Sequence, residues 1–270
     1  MPLAVCATPI GNLDDITLRV LAELREADLI LCEDTRHTRG LLARHDIAAQ
    51  VLSYHRLNEA ARTGDVLSRL EQGERIALVS DAGLPGVNDP GARLVVAAVT
   101  AGLPVTVLPG PSAVETAVVA SGLVPGRYQF LGYLPRRSAG LQALGDELAR
   151  WPHATVAFES PRRLPASLAV LARRMPLRPA AVCRELTKRF EEVVRGTLSE
   201  VADTFSQPPK GEVTLVLGED FGQSNRASVS DDALAAVAEL VAEGMARRQA
   251  VDMVARLTET PRNALYRSSL

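Results

Sequence analysis

Short apolar runs and amphipathic stretches alternate along most of this 270-residue chain. Residues 3–7 (LAVCA) are continuously apolar and end in the turn TPIGN, the pattern of a strand buried on both faces. Over residues 15–26, Ile16, Val20, Leu21 and Leu24 recur at spacings that line one helical face. The same reasoning predicts strands over 28–32, 75–79 and 104–108, and helices over 65–71 and 93–100. A further helix opens at Ser112, which stands where an N-cap residue belongs. From residue 127 a second set follows, with strands over 128–134, 155–158 and 180–184 and helices over 141–150 and 164–174. The apolar run behind Lys-Gly-Glu at 210–218 reads as a hairpin or edge strand rather than a crossover. Residues 218–230 read as a linker and 230–270 as helical, with Asp231 and Asp232 at the start. Strands alternating with helices of this length build a largely parallel sheet covered on both faces. The expected architecture is α/β in two lobes, each a mixed, mainly parallel sheet flanked by helices, plus a small helical tail. The expected boundaries are 1–113, 114–220 and 221–270.

Composition fits an ordinary globular protein, with 47% hydrophobic and 23% charged residues. No apolar run nears the ~20 residues that span a bilayer. The first residues enter a strand pattern without a basic leader, so a cytoplasmic protein with no membrane partner is expected. Cys6, Cys32 and Cys183 lie far apart and form no C-x-x-C pair, which favours buried free thiols over disulfides or zinc. The net charge of −2 conceals a segregation that changes the picture more than its sum does. Residues 127–195 carry 13 basic and 6 acidic side chains, whereas the segments before and after are acidic. A basic middle in an acidic chain points to a polyanionic partner, against the alternative of solvated helix faces. Of the 30 basic residues only Lys188 and Lys210 are lysines, a hint that a compact ammonium is wanted at those places.

Four loops stand at strand ends of the first lobe: ATPIGN, CEDTRHT, SDAGLPGVNDPG and LPGPSA. Together at one sheet edge they describe a small-molecule pocket. Neither G-x-G-x-x-G nor a P-loop occurs, so the ligand is not expected to be held by phosphates. The cluster Glu33, Asp34, Arg36, His37 and Arg39 offers a carboxylate–imidazole pair and arginines for phosphate. It equally describes a helix start capped by Asp34 or Thr35, and the residues leave both open. His55 lies in a polar loop within possible reach. Glu159, Arg162, Arg163, Arg184, Glu185, Lys188 and Arg189 gather at strand ends of the second lobe, either as ion pairs or as a basic wall facing the pocket. No metal-ligand spacing occurs.

In this order, TPIGNLDDIT (8–17), ADLILCEDTRHT (27–38), SYHRLNE (53–59), LVSDAGLPGVNDPG (78–91), LPGPSA (108–113), FESPRRL (158–164), RELTK (184–188), KGE (210–212) and NALY (263–266) resemble the tetrapyrrole methylase superfamily. They most closely resemble its ribosomal RNA branch. The resemblance implies S-adenosylmethionine as cofactor, bound in a cleft between two α/β lobes, and a homodimer. It also implies 2′-O-methylation of a cytidine in the decoding region of small-subunit (16S) ribosomal RNA, with the small ribosomal subunit as partner. Pro9, Gly11, Asp81, Gly83, Pro111, Ser112 and Ala113 match the loops lining the cofactor site. For the chemistry, Asp34 and His37 are candidates for the base and Lys188 for an ammonium that stabilises the emerging alkoxide, with Glu159 and Glu185 behind them. Arg36, Arg162, Arg163 and Arg189 are the expected phosphate contacts. Leu84 stands where this branch usually carries Thr. A tetrapyrrole methyltransferase is the alternative, but such a substrate would want more than 4% aromatic residues, and the basic segment favours RNA.

Overall fold

In the computed structural model, which describes residues 3–220, 231–258, 260 and 262–269, the apolar runs become strands and the amphipathic stretches pack onto them. β1 (Leu3–Cys6), β2 (Leu29–Cys32), β3 (Val51–Ser53), β4 (Ile76–Val79) and β5 (Val105–Leu108) form one parallel sheet in the order β3-β2-β4-β1-β5. β1, β2 and β4 are buried at every position, as continuous apolar runs in a doubly covered sheet should be. Alternate residues serve opposite faces. Ala4, Cys6, Ile30 and Cys32 pack with α1 (Leu18–Glu26) and α2 (Thr35–Arg44). Leu3, Val5, Leu29 and Leu31 pack with α3 (Glu59–Glu71) and α4 (Ala92–Thr100).

The chain leaves β5 through α5 (Ala113–Ser121), whose Val114 and Ala117 pack on the second sheet rather than the first. That sheet contains β6 (Tyr128–Tyr133), β7 (Ala154–Glu159), β8 (Pro179–Arg184), β9 (Glu192–Thr197) and β10 (Val213–Leu217) in the order β6-β7-β10-β8-β9. Its opposite face is covered by α6 (Ser138–Leu148), α7 (Leu164–Arg174) and α8 (Leu198–Thr204). β6 and β7 run parallel and the other three neighbouring pairs antiparallel. This sheet is therefore mixed but mainly antiparallel where a mainly parallel one was expected, because its strands are joined partly by direct returns rather than by helical crossovers. The tail helices α9 (Asp231–Ala242), α10 (Arg247–Thr258) and α11 (Arg262–Ser268) form a small core of their own around Val237, Val251 and Leu265.

Several expectations change. β10 is the central strand of its sheet, not a hairpin or edge strand. Its five residues are all buried, and an edge strand would have shown polar alternation. The edges are β6 and β9, and β9 is the half-exposed EVVRGT, whose charges hid it in the sequence. β3 and α8 were also not evident, and α3 begins at Glu59 rather than 65 because its first turn, EAAR, carries no large apolar residue to mark the helical face. The expected linker at 218–230 lies mostly outside the described residues, as do the side chains of Asn263 and Ala264 in the NALY motif. All three cysteines are free and buried. Burial pushes the Cys6 thiol up to about 12 and Cys183 to about 11, so both are chemically quiet. No helix among the described residues is long and apolar enough to cross a membrane.

Candidate active site between the lobes

Because β4, β1 and β5 are neighbours, the loops that follow them share one sheet edge. Thr8 and Gly83 exchange backbone hydrogen bonds, N to O at 2.8 and 3.1 Å. The Thr8 hydroxyl donates to the Ser80 carbonyl at 3.0 Å, and the Ser80 hydroxyl donates to the Gly83 carbonyl at 3.0 Å. The Pro111 carbonyl lies beside Gly83, 3.8 Å from where a Cβ would stand. Pro9, Gly11, Asp81, Gly83, Pro111, Ser112 and Ala113 therefore belong to loops that meet in a single cradle. Ser112 occupies the N-cap position of α5 but makes no side-chain cap. Its hydroxyl donates instead to the Glu115 carboxylate.

The cradle has an acidic flank. Asp81 Oδ1 accepts the backbone N–H of Asp34 at 3.1 Å, tying the SDAG loop to the EDTRHT loop. Burial and the Asp81 charge raise the Glu33 carboxyl, against His55 and Arg56. Asp89 rises to about 6 through burial and then the charges of Glu33 and Asp81, with Arg56 opposing. Beside it a recess of about 230 Å³ is lined by Arg56, Glu59, Asn88, Asp89 and Arg93.

The second lobe meets the cradle at the TPIGN turn. Ile10, from the TPIGN turn, is buried in the cluster that holds Val114, Cys183 and Leu186. The Asn12 N–H donates to Thr187 Oγ1 at 3.0 Å. Gly11 lies so close to Lys188 that a Cβ would stand 2.5 Å from its Cγ, so only glycine fits there. Lys188 Nζ donates to Glu185 Oε1 at 3.0 Å and to Glu212 Oε2 at 2.9 Å. Burial pulls the Lys188 pKa down, but the bonds and charges of Glu212 and Glu185 outweigh it and the net shift is upward. The ammonium therefore stays charged. Glu185 is lowered, first by the Glu212 N–H donated to it and then by Lys188.

The remaining expected residues separate. Asp34 is the N-cap of α2: its Oδ1 accepts the Arg36 N–H at 2.8 Å, and Oδ2 pairs with the Arg36 guanidinium at 3.0 Å. These bonds to Arg36 hold its carboxyl down at about 2, so the capped-helix reading accounts for it and it is a weak base. Arg36 is correspondingly engaged with Asp34. His37 is exposed on the first turn of α2, and among the described residues no hydrogen bond or ion pair joins it or Asp34 to Lys188. Glu159 is fully enclosed and accepts from Ser160 N–H at 2.6 Å, Ser167 Oγ at 2.5 Å and Arg163 at 3.0 Å, a structural role rather than a catalytic one. Arg163 also donates to the carbonyls of Leu134 and Pro135, which turns it inward, away from any phosphate. Arg162 and Arg189 are exposed, the latter 5.5 Å over the Phe190 ring. Two residues of the cleft escaped the sequence reading, Tyr133 and Asn88. The available signal was the glycine in FLGY, since a glycine inside a strand pattern marks a bulge.

Comparison with known proteins agrees with this architecture. The family described as Tetrapyrrole (Corrin/Porphyrin) Methylases matches residues 2–202. The chain is 42% identical over 268 residues to the ribosomal RNA small subunit methyltransferase I of Micromonospora olivasterospora, covering 98% of this chain and 85% of that one. It is 41% identical over 271 residues to the protein of the same name from Synechocystis sp., covering 99% and 97%. Among solved structures, the uroporphyrin-III C-methyl transferase from Thermus thermophilus complexed with S-adenyl homocysteine has a TM-score of 0.57 at 21% identity, covering 80% of this chain and 97% of that one.

Proposed function

The chain belongs to the tetrapyrrole methylase family, and we propose that it methylates the 2′-hydroxyl of a cytidine in the decoding region of small-subunit ribosomal RNA. Its methyl donor is S-adenosylmethionine, and the cradle suits that molecule. Backbone groups of Thr8, Gly83 and Pro111 line it without a phosphate-binding loop, and Glu33, Asp81 and Asp89 complement a sulfonium and an ammonium. Pro9, Gly11, Asp81, Gly83, Pro111, Ser112 and Ala113 would hold it. When bound, the donor supplies an electrophilic methyl group that carries its own leaving group.

What the protein adds is placement and proton handling. Aligning nucleophile and electrophile can supply roughly 7–11 kcal/mol. A ribose hydroxyl is a poor nucleophile, so a base and a nearby cation help, the base by about 10²–10⁴-fold. The base role passes from Asp34 to Asp89, which follows Asn88 at the contact with Gly132 of the second lobe and whose carboxyl, raised to about 6, can accept a proton at neutral pH. Lys188 is the cation. The observation that carries the reading is the packing of Gly11, a cradle residue, against the Lys188 stem, which sets one of the two lysines of the chain at the mouth of the cradle. Arg162 and Arg189 remain free to meet phosphates; Arg36 would have to exchange Asp34 for one.

The proposed homodimer has a surface to use. β5 comes last in the sheet order among the described residues, with Val107 half-exposed, and Val96 and Val99 stand out from the adjacent α4. Exposed apolar side chains grouped at one side of the sheet favour a second copy over solvent. The proposal is tested by offering labelled S-adenosylmethionine with small ribosomal subunits, free ribosomal RNA and a porphyrin precursor side by side. Label in the subunit RNA is expected. Label in the porphyrin would transfer the chain to the small-molecule branch.

A further inference from the structure

Tyr133 has a placement that the chemistry above does not use. β6 pairs with β7 through Tyr128↔Ala154, Gln129↔Thr155 and Phe130↔Val156, then resumes at Tyr133↔Phe158. One extra residue is thus inserted in β6, a bulge of the kind that re-aims a side chain beside a site. Gly132 makes the bulge possible. It adopts φ +69°, and a Cβ there would stand 2.7 Å from Asn88 Oδ1 of the first lobe. The backbone therefore comes up against the opposite lobe, and the next side chain emerges at the cleft.

The ring that emerges is 61% exposed, which leaves costly aromatic surface in water. It is nevertheless braced, lying edge-on to Phe158 at 5.6 Å, while Phe158 lies edge-on to Phe130 at 5.0 Å. The hydroxyl is raised by burial and then by the charges of Glu212, Asp89, Glu159 and Glu33, so it feels carboxylates of both lobes. Glu212 is also a partner of Lys188, so the hydroxyl and the cation at the mouth of the cradle share one carboxylate's field. A phosphate would be repelled by these carboxylates. An uncharged base would not, and carboxylates accept from the exocyclic amine of cytosine.

We propose that Tyr133 is the platform on which the base of the acceptor nucleotide stacks, with a cleft carboxylate accepting from its amino group. This rests on the RNA reading above. Single-stranded or splayed-out bases are commonly held on aromatic rings, and the braced ring loses little freedom in doing so. It also gives this lobe a purpose for its bulge that sheet pairing alone does not supply.

The test compares Tyr133→Phe, Tyr133→Leu and Tyr133→Ala with wild type, using unmethylated small ribosomal subunits and saturating S-adenosylmethionine. Affinity for S-adenosylhomocysteine, measured by calorimetry, reports whether each variant keeps its fold and cradle. Tyr133→Phe should stay within about twofold of wild type, while Leu and Ala should raise KM for the subunit by roughly 5- to 100-fold, the range of base–aromatic stacking. Cofactor affinity should not move. A Leu variant equal to wild type, or a Phe variant as impaired as Ala, would overturn the platform. Failure of the wild type to methylate RNA would instead overturn the RNA reading itself, and the platform with it.

Discussion

Replacing Asp89 by Asn separates stability from catalysis in opposite directions. The carboxyl rises from 3.8 to about 6 because it is buried beside Glu33 and Asp81. At 1.36 kcal/mol per pKa unit, the shift corresponds to about 3 kcal/mol, reduced to roughly 1–3 kcal/mol because the group keeps some contact with solvent. A raised carboxyl pKa means that the fold prefers the neutral form. The associated stability is fully present below about 3.8 and is lost as pH climbs through about 6. Wild type at pH 8 therefore carries the full penalty, and Asn, which cannot ionise, carries none. Asp89→Asn should be more stable by roughly 1–3 kcal/mol at pH 8, with the gap closing toward zero near pH 4. Urea unfolding of both proteins at the two pH values measures this directly, and thermal unfolding should show a rise of roughly 2–4 °C per kcal/mol. The same variant should lose about 10²–10⁴-fold in turnover if Asp89 accepts the ribose proton. Equal stability gains at both pH values would refute the burial argument. Wild-type turnover would refute the base assignment.

Other expectations follow from the same geometry. Lys188→Ala should cut turnover far more than it weakens cofactor binding, as read by single-turnover methylation beside calorimetry; an unchanged rate would remove Lys188 from the mechanism. Gly11→Ala forces a Cβ into the Lys188 stem and should lower turnover while leaving the cores intact, visible as an unchanged circular dichroism spectrum beside a reduced rate. Glu159→Ala removes the counter-charge of the Arg163 guanidinium and strands two further donors, and should cost about 3–5 kcal/mol in urea unfolding. A Val107→Arg variant places charge in the exposed apolar group of Val96, Val99 and Val107 and should shift the protein toward monomer in analytical ultracentrifugation.

Much of the fold was legible because its strands are buried on both faces and read as unbroken apolar runs. Leu3–Cys6, Leu29–Cys32 and Ile76–Val79 are of this kind. β9 was not legible, since an edge strand such as EVVRGT mixes charge with valine and mimics a loop. β10 was found as an apolar strand but misplaced, because neighbour order is decided by tertiary pairing with β7 and β8. At the site, the glycine- and proline-rich loops announced the cradle, and Lys188 stood out by its rarity among arginines. Residue types alone did not separate Asp34 from Asp89. Both are aspartates in strand-end loops, and only the structure shows one capping a helix with Arg36 and the other buried among carboxylates. Tyr133 was hidden for a similar reason: the glycine in FLGY signals a bulge, but only the structure shows that the bulge faces Asn88 of the other lobe.

The most direct test of the central claim is where the methyl group goes on the RNA. Small ribosomal subunits labelled by this protein with S-adenosylmethionine would be digested with alkali and nuclease and the labelled product identified. A single alkali-resistant dinucleotide carrying 2′-O-methylcytidine is the expected result. Label on a base, at many sites, or absent from the RNA would contradict it.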